Sequence, residues 1–318
     1  MTLRALIRKP FTNTPFTKAV DLRGKRALVT GCGLGSLGYA SAKSLASWGA
    51  EVVITTRKNT EAIAQKLRTE LSQENVQANI TAQDLDLADA ASVNRFAEHY
   101  LANNPERLDI LMNNAGVHLD LMSQWKQPKL SADGIELQWR TNYLGSVHLT
   151  HRLLPLLQKT GREFGDARIV NVGSQIYTKG SNRALFDASV PYNSWQSYGL
   201  SKLGLIHFTR ELHRRFNTSD NINSYCLHPG AASGTSTDVA NKGLEGHGVV
   251  NSIRKLTEPL MNLIMTTAEE GAQTQLYCAT AKVQSGQYYQ DCATKDTNQD
   301  AQDSAAAERL WDETQVWL

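Results

Sequence analysis

The sequence has little of what would settle a function at sight. It holds only four cysteines (Cys32, Cys226, Cys278 and Cys292), widely scattered and without a C-x-x-C pair. That argues against a disulfide scaffold and against a cysteine-built zinc centre. The histidines are also dispersed and suggest no metal site. No run of about 18 apolar residues occurs, so no spanning helix is expected. Excess charge of one sign is missing as well: 33 Lys plus Arg against 31 Asp plus Glu leave a net charge of +2. That balance argues against a nucleic-acid binder relying on bulk positive charge, and no nucleic-acid partner is expected. Internal repeats, low-complexity tracts and Pro/Gly-rich linkers are absent. What is present is 318 residues, 41% of them apolar, enough to bury a sizeable core.

The first 25 residues carry Arg4, Arg8, Lys9, Lys18, Arg23 and Lys25 but one acid, Asp21. They lack the apolar stretch of a secretory signal. A solvated extension over residues 1–24 is the plainest reading. A transit peptide or a membrane-surface arm is the competing one. The default compartment is cytoplasmic.

Beyond residue 25, strand and helix patterns alternate. Strands are expected at Arg26–Thr30, Glu51–Thr55, Asn79–Leu85, Leu108–Asn113, Arg168–Val172, Ile222–His228 and Gly286–Gln290. A long helix is expected from about Ser131 to Lys159. Strands separated by helices imply parallel βαβ units and an α/β, Rossmann-type, doubly wound parallel sheet flanked by helices. With no linker to divide it, residues 25–318 read as one domain.

Thr30–Gly38 reads TGCGLGSLG and contains Gly33-x-Gly35-x-x-Gly38 directly between a strand and a helix. Glycines there let the backbone turn tightly and approach a pyrophosphate, which the helix N-terminus then attracts. The same loop also serves S-adenosylmethionine-dependent methyltransferases, or packs for shape alone. The end of the second strand narrows the choice. An NAD site usually puts an acid there for the ribose 2′-hydroxyl. Here Thr56 is followed by Arg57 and Lys58, which suit a 2′-phosphate and favour NADP(H).

Tyr198 and Lys202 stand four apart on an expected helix, so both side chains share one side. An ammonium beside a phenol favours the phenolate and makes the hydroxyl a usable acid or base. Their company gives the spacing its weight. Asn113–Gly116 (NNAG) follows the fourth strand, Asn142 lies in the long helix, and Ser174 follows the fifth strand. In this order the motifs resemble the short-chain dehydrogenase/reductase family from about Lys25 to the C-terminus.

The resemblance implies roles. Tyr198 would be the general acid in carbonyl reduction and the base in alcohol oxidation. Lys202 would bind the nicotinamide ribose and lower the Tyr198 pKa. Ser174 would hydrogen-bond the substrate oxygen, and Asn142 would hold a relay water next to Lys202. Gly31, Gly33, Gly35, Ser36, Leu37 and Gly38 would form the cofactor loop. Asp86 and Leu87 would meet the adenine, and Asn114, Ala115 and Gly116 the adenosine side. Pro229 and Gly230 would lie beside the nicotinamide. Two departures from the family pattern stand out. The glycine loop is shifted by one residue, so either Gly35 or Ser36 takes the middle glycine's place. Gly234, between Ser233 and Thr235, stands where a threonine is common.

The gap of 24 residues between Ser174 and Tyr198, with YNSW at 192–195, resembles retinol dehydrogenases and the oxidoreductase half of WW-domain oxidoreductases. FTREL at 208–212, LHPG at 227–230, GQYYQDC at 286–292 and AAERLW at 306–311 agree. The branch implies NADP(H) and a small hydrophobic carbonyl or alcohol substrate. Substrate contacts are expected from His118–Lys126, from the insert before Tyr198, and from Ser233–Val250. Gly243, Gly246 and Gly248 suit either a closing lid or an ordinary surface loop. The segment Ile253–Ile264 would line an apolar pocket or touch a membrane surface. His118, Tyr192, Trp195 and Tyr225 would touch substrate or simply pack the insert. The family often pairs through its two long helices, which leaves a homodimer or homotetramer open. The competing functional class is an NADP(H)-binding sensor or interaction protein without turnover.

Overall fold

The computed structural model describes residues 15–104, 106–118, 127–229 and 267–318. Gly230, the glycine loop at 243–248, the segment 253–264, the first fourteen residues and most of His118–Lys126 lie outside them.

The sheet is built outward from β1 (Arg26–Thr30), whose Ala27, Leu28 and Val29 are fully buried. Apolar on both faces, such a run fits only the interior of a parallel sheet. β1 pairs in parallel with β2 (Glu51–Thr56) on one side and β4 (Ile110–Asn113) on the other. β3 (Asn79–Asp84) lies outside β2. Beyond β4 come β5 (Ala167–Val172), β6 (Ile222–His228), β7 (Tyr288–Gln290) and β8 (Ala293–Thr294). The order is β3-β2-β1-β4-β5-β6-β7-β8, and among these strands only β8 runs antiparallel to its neighbour. Chain direction across the sheet reverses between β1 and β4. Ligands of open α/β sheets bind in the crevice at that switch, outside the carboxyl ends of the strands.

Helices cover both faces: α1 (Leu37–Ser47), α2 (Thr60–Gln73), α3 (Ala90–Asn103), α4 (Gly145–Phe164), α5 (Ser194–Asp220), α6 (Gln273–Thr280) and α7 (Ser304–Thr314). Two apolar clusters result. One holds Phe96, Leu153, Leu203 and Phe208, and the other Leu45, Leu67, Met112 and Leu276. α7 lies along α5. Its Trp311 stacks 5.7 Å from Phe208, sits 5.0 Å from the His151 ring on α4, and takes the Arg215 guanidinium over its face at 4.7 Å. Among the described residues, no helix is long and apolar enough to cross a membrane.

The expected strands are all present, with edges shifted by up to two residues. The expected helix from Ser131 is corrected. Gly134 takes φ +78°, and the Ser131 hydroxyl donates to the Ile135 carbonyl at 2.9 Å, closing a turn instead. Helical structure starts at Leu137, where the Glu136 carboxylate accepts from Trp139 N at 2.7 Å. The helix passes through a π turn at Arg140–Leu144 and continues as α4 past Lys159. It ends where Gly165 adopts φ +82°. β8 was not expected. It is reached through Asp291 and Cys292, both at positive φ (51° and 57°), a two-residue hairpin turn without the usual glycine.

Candidate active site

The glycine loop is fixed from below and open above. Gly31 has φ +74°, and a Cβ there would come 2.7 Å from the Cα of Ala115. A Cβ on Gly38 would come 2.5 Å from Asn114 Nδ2. Both positions therefore need glycine for close approach to NNAG. Asn114 Nδ2 donates to the Thr30 carbonyl at 2.7 Å, and Thr30 Oγ1 accepts from the backbone N–H groups of Asn114 and Ala115 at 3.0 Å each. A Cβ at Gly33 or Gly35 would meet no protein atom within 4 Å. Ser36 is the N-cap of α1: its hydroxyl accepts from Tyr39 N and donates to the Gly31 carbonyl, both at 3.1 Å. Gly35, at φ +69°, makes the turn, while Ser36 caps the helix. Bare backbone beside open space, ahead of a helix N-terminus, fits a pyrophosphate.

Arg57 and Lys58 are exposed just past the end of β2. The neighbouring acid, Asp84, is held by Thr60, whose N–H and Oγ1 donate to it at 3.1 and 2.5 Å. The Asp86 carboxylate accepts from Ala88 N at 2.9 Å and shapes the turn after β3. The Leu87 side chain is buried, and its backbone carbonyl lies beside Gly145 and accepts from the Arg140 guanidinium at 3.3 Å. Pro229 is half-buried directly after β6.

At the other end of the crevice, Ser174, Tyr198, Lys202, Asn142 and Gly116 come together. Ser174 follows β5 and is buried. Its hydroxyl accepts from Ile176 N at 3.2 Å, and it acts on the Tyr198 hydroxyl to lower its pKa. Lys202 Nζ donates to the Val172 carbonyl at 2.8 Å and sits 5.6 Å from the centroid of the Tyr198 ring. A Cβ on Gly116 would lie 3.3 Å from both Lys202 Nζ and Asn142 Oδ1. Burial pushes the Tyr198 hydroxyl up to about 12, opposed by the Ser174 hydrogen bond. Burial likewise pulls Lys202 down to about 8. In this arrangement desolvation outweighs any help that Lys202 gives the phenolate.

Asn142 sits within the π turn, a distortion frequent at functional sites. Its Oδ1 accepts from Val117 N at 2.7 Å, and its Nδ2 donates to the Val117 carbonyl at 2.9 Å and to Ser201 Oγ at 3.1 Å. Asn113 is buried and acts elsewhere. Its Nδ2 donates to Thr150 Oγ1 and Asn171 Oδ1, tying β4 to α4 and β5.

Of the aromatic candidates, Tyr225 faces the core and packs on Tyr289, away from the site. Tyr192 donates to Glu136 at 3.2 Å. His118 stacks on Tyr198 and meets Trp195 edge-on. Sequence reasoning missed Ser201 and Thr30. Both stand inside motifs that it quoted, YGLSK and TGCGLGSLG, but nothing in a hydroxyl's position predicts its partner. Among the described residues, no three His, Cys, Asp or Glu side chains group as a metal site.

A short chain dehydrogenase profile matches residues 25–245, more than half of the chain. The protein belongs to the short-chain dehydrogenase/reductase family. Mouse retinol dehydrogenase 14 is 35% identical, covering 93% of this chain and 86% of the relative. Human retinol dehydrogenase 12 is 34% identical, covering 96% and 90%. A crystal structure of an uncharacterized protein from Mycobacterium Paratuberculosis superposes with a TM-score of 0.67 at 25% identity, covering 95% of this chain and 97% of that one. This short-chain dehydrogenase is an oxidoreductase for alcohol or carbonyl groups of a small-molecule substrate. Members of the family bind a nicotinamide cofactor.

Proposed function

We propose that the protein is an NADP(H)-dependent oxidoreductase of a small hydrophobic carbonyl or alcohol, with Tyr198 as its general acid and base. The observation that carries this reading is the convergence of Ser174, Tyr198, Lys202 and Asn142 at the end of β5, across the crevice from an open glycine loop. Gly33, Gly35 and the α1 N-terminus would hold the pyrophosphate. Arg57 and Lys58, free of ion pairs among the described residues, would hold a 2′-phosphate. NADPH, when bound, supplies the hydride. Tyr198 gives its hydroxyl proton to the substrate oxygen on reduction and takes it back on oxidation. Ser174 donates to the same oxygen and stabilises charge developing there. Lys202 favours the phenolate once the proton has left, and its own pKa of about 8 lets it exchange protons near neutrality. The His118 and Trp195 rings packed beside Tyr198 favour a hydrophobic substrate.

Tyr198→Phe is the direct test. NADPH consumption with a panel of aldehydes, ketones and steroids should vanish, while NADPH binding followed by fluorescence stays near wild type. A variant that retains full turnover removes Tyr198 from the chemistry.

A further inference from the structure

His118 is inserted between two aromatic side chains one helical turn apart on α5. Its ring stacks on Tyr198 with centroids 4.2 Å apart and planes 20° from parallel. It meets the Trp195 ring edge-on at 4.6 Å. A five- or six-membered ring lying flat at this distance restricts rotation of the phenol about its χ1 and χ2 bonds, because either rotation would drive one ring into the other.

The backbone that carries His118 is itself held. Val117, the residue before it, is gripped on both its N–H and its carbonyl by the Asn142 amide, at 2.7 and 2.9 Å. Asn142 also donates to Ser201 Oγ, and Ser201 donates to the Tyr198 carbonyl at 2.7 Å. The contacts form a closed circuit. It starts at the Tyr198 backbone and runs through Ser201, Asn142, Val117 and His118. It returns through the stacked rings to the Tyr198 side chain. Asn142 and Ser201 are almost fully buried, so water competes poorly for these bonds.

We propose that His118 is a positioning residue. With Ser201 as the opposite arm of the circuit, it holds the Tyr198 ring in the orientation that the structure shows. The proposal rests on the assignment of Tyr198 as the proton donor. It adds that the required orientation is imposed from outside α5 by a ring whose flatness, not its ionisation, matters. A misaimed hydroxyl slows proton transfer without weakening cofactor binding, so the effect falls on kcat.

The test uses three substitutions beside Tyr198→Phe, all assayed for NADPH oxidation with the best carbonyl of the panel. His118→Ala should lower kcat about tenfold, leaving the NADPH Kd and the melting temperature close to wild type. His118→Phe, which keeps a flat ring and cannot ionise, should restore most of the loss. Ser201→Ala breaks the circuit without touching either ring and should lower kcat in the same direction. An unchanged kcat in His118→Ala or Ser201→Ala overturns the proposal. So does a His118→Phe variant as slow as His118→Ala. Tyr198→Phe separates the two levels: retained turnover there sinks the assignment beneath, while a dead Tyr198→Phe beside a fully active His118→Ala sinks only the positioning role.

Discussion

Three glycines of one loop can be told apart by what a single methyl group would meet. At Gly31 alanine combines a left-handed backbone, φ +74°, with a Cβ placed 2.7 Å from a backbone atom of Ala115. The first costs about 1–2 kcal/mol. The second is overpacking against main chain that cannot rotate away, typically about 1–3 kcal/mol. Together they give about 2–5 kcal/mol. Unfolding entropy near 2.1 cal/mol/K per residue amounts to about 0.67 kcal/mol/K for 318 residues. Gly31→Ala should therefore melt about 3–7 °C below wild type. Gly35, at φ +69° with nothing within 4 Å, carries only the backbone cost, so alanine there should lower the melting temperature by about 2–3 °C. Gly33 has neither penalty and should melt with wild type. The order reverses for the cofactor. A methyl at Gly33 or Gly35 projects into the space assigned to the pyrophosphate, and each variant should lose at least about tenfold in NADPH affinity. Differential scanning fluorimetry and a fluorescence titration with NADPH read the two quantities on the same samples. Gly31→Ala with an unchanged melting temperature would refute the packing argument. Gly33→Ala binding NADPH like wild type would refute the cradle.

Two further outcomes follow from charge. Replacing both Arg57 and Lys58 with alanine should raise KM for NADPH by tens of fold and leave that for NADH nearly unchanged; equal rates with both cofactors in the wild type would sink the 2′-phosphate argument. Lys202, at about 8, lies below its ordinary 10.5. Between those values the unfolded chain keeps a proton that the folded chain has lost, so this group's contribution to stability improves as pH rises. Relative to wild type, Lys202→Met should be most favoured below pH 8, with the difference in melting temperature shrinking toward pH 10.5. A difference that does not change across that window contradicts the desolvated ammonium.

The strands were legible because a sheet buried on both faces needs apolar runs, and RALVT and EVVIT supply them with few alternatives. The site was legible as residue types at spacings, since Tyr198 and Lys202 must share a helix face to act together. The long helix's start was not. Apolar residues from Ile135 onward continue the pattern backwards, and only the positive φ of Gly134 and the carboxylate cap of Glu136 stop it. The π turn was illegible for a similar reason: one extra residue in a helical turn leaves composition unchanged, though it sets the direction of Asn142. In the glycine loop the sequence left Gly35 and Ser36 as equals. In the structure Gly35 takes a positive φ of +69° and Ser36 caps α1, a local division that only hydrogen bonding reveals.

The two residues of β8 bear on solubility. A mostly parallel sheet that stopped at β7 would present an unpaired ladder able to recruit a strand from another molecule. Turning back through Asp291 and Cys292 covers that ladder with a strand of two residues, too short to template anything itself. At the opposite margin β3 ends in Gln83 and Asp84, polar side chains that discourage pairing there. Lengthening β8 with apolar residues would therefore be expected to leave the crevice intact and to make the protein prone to aggregate.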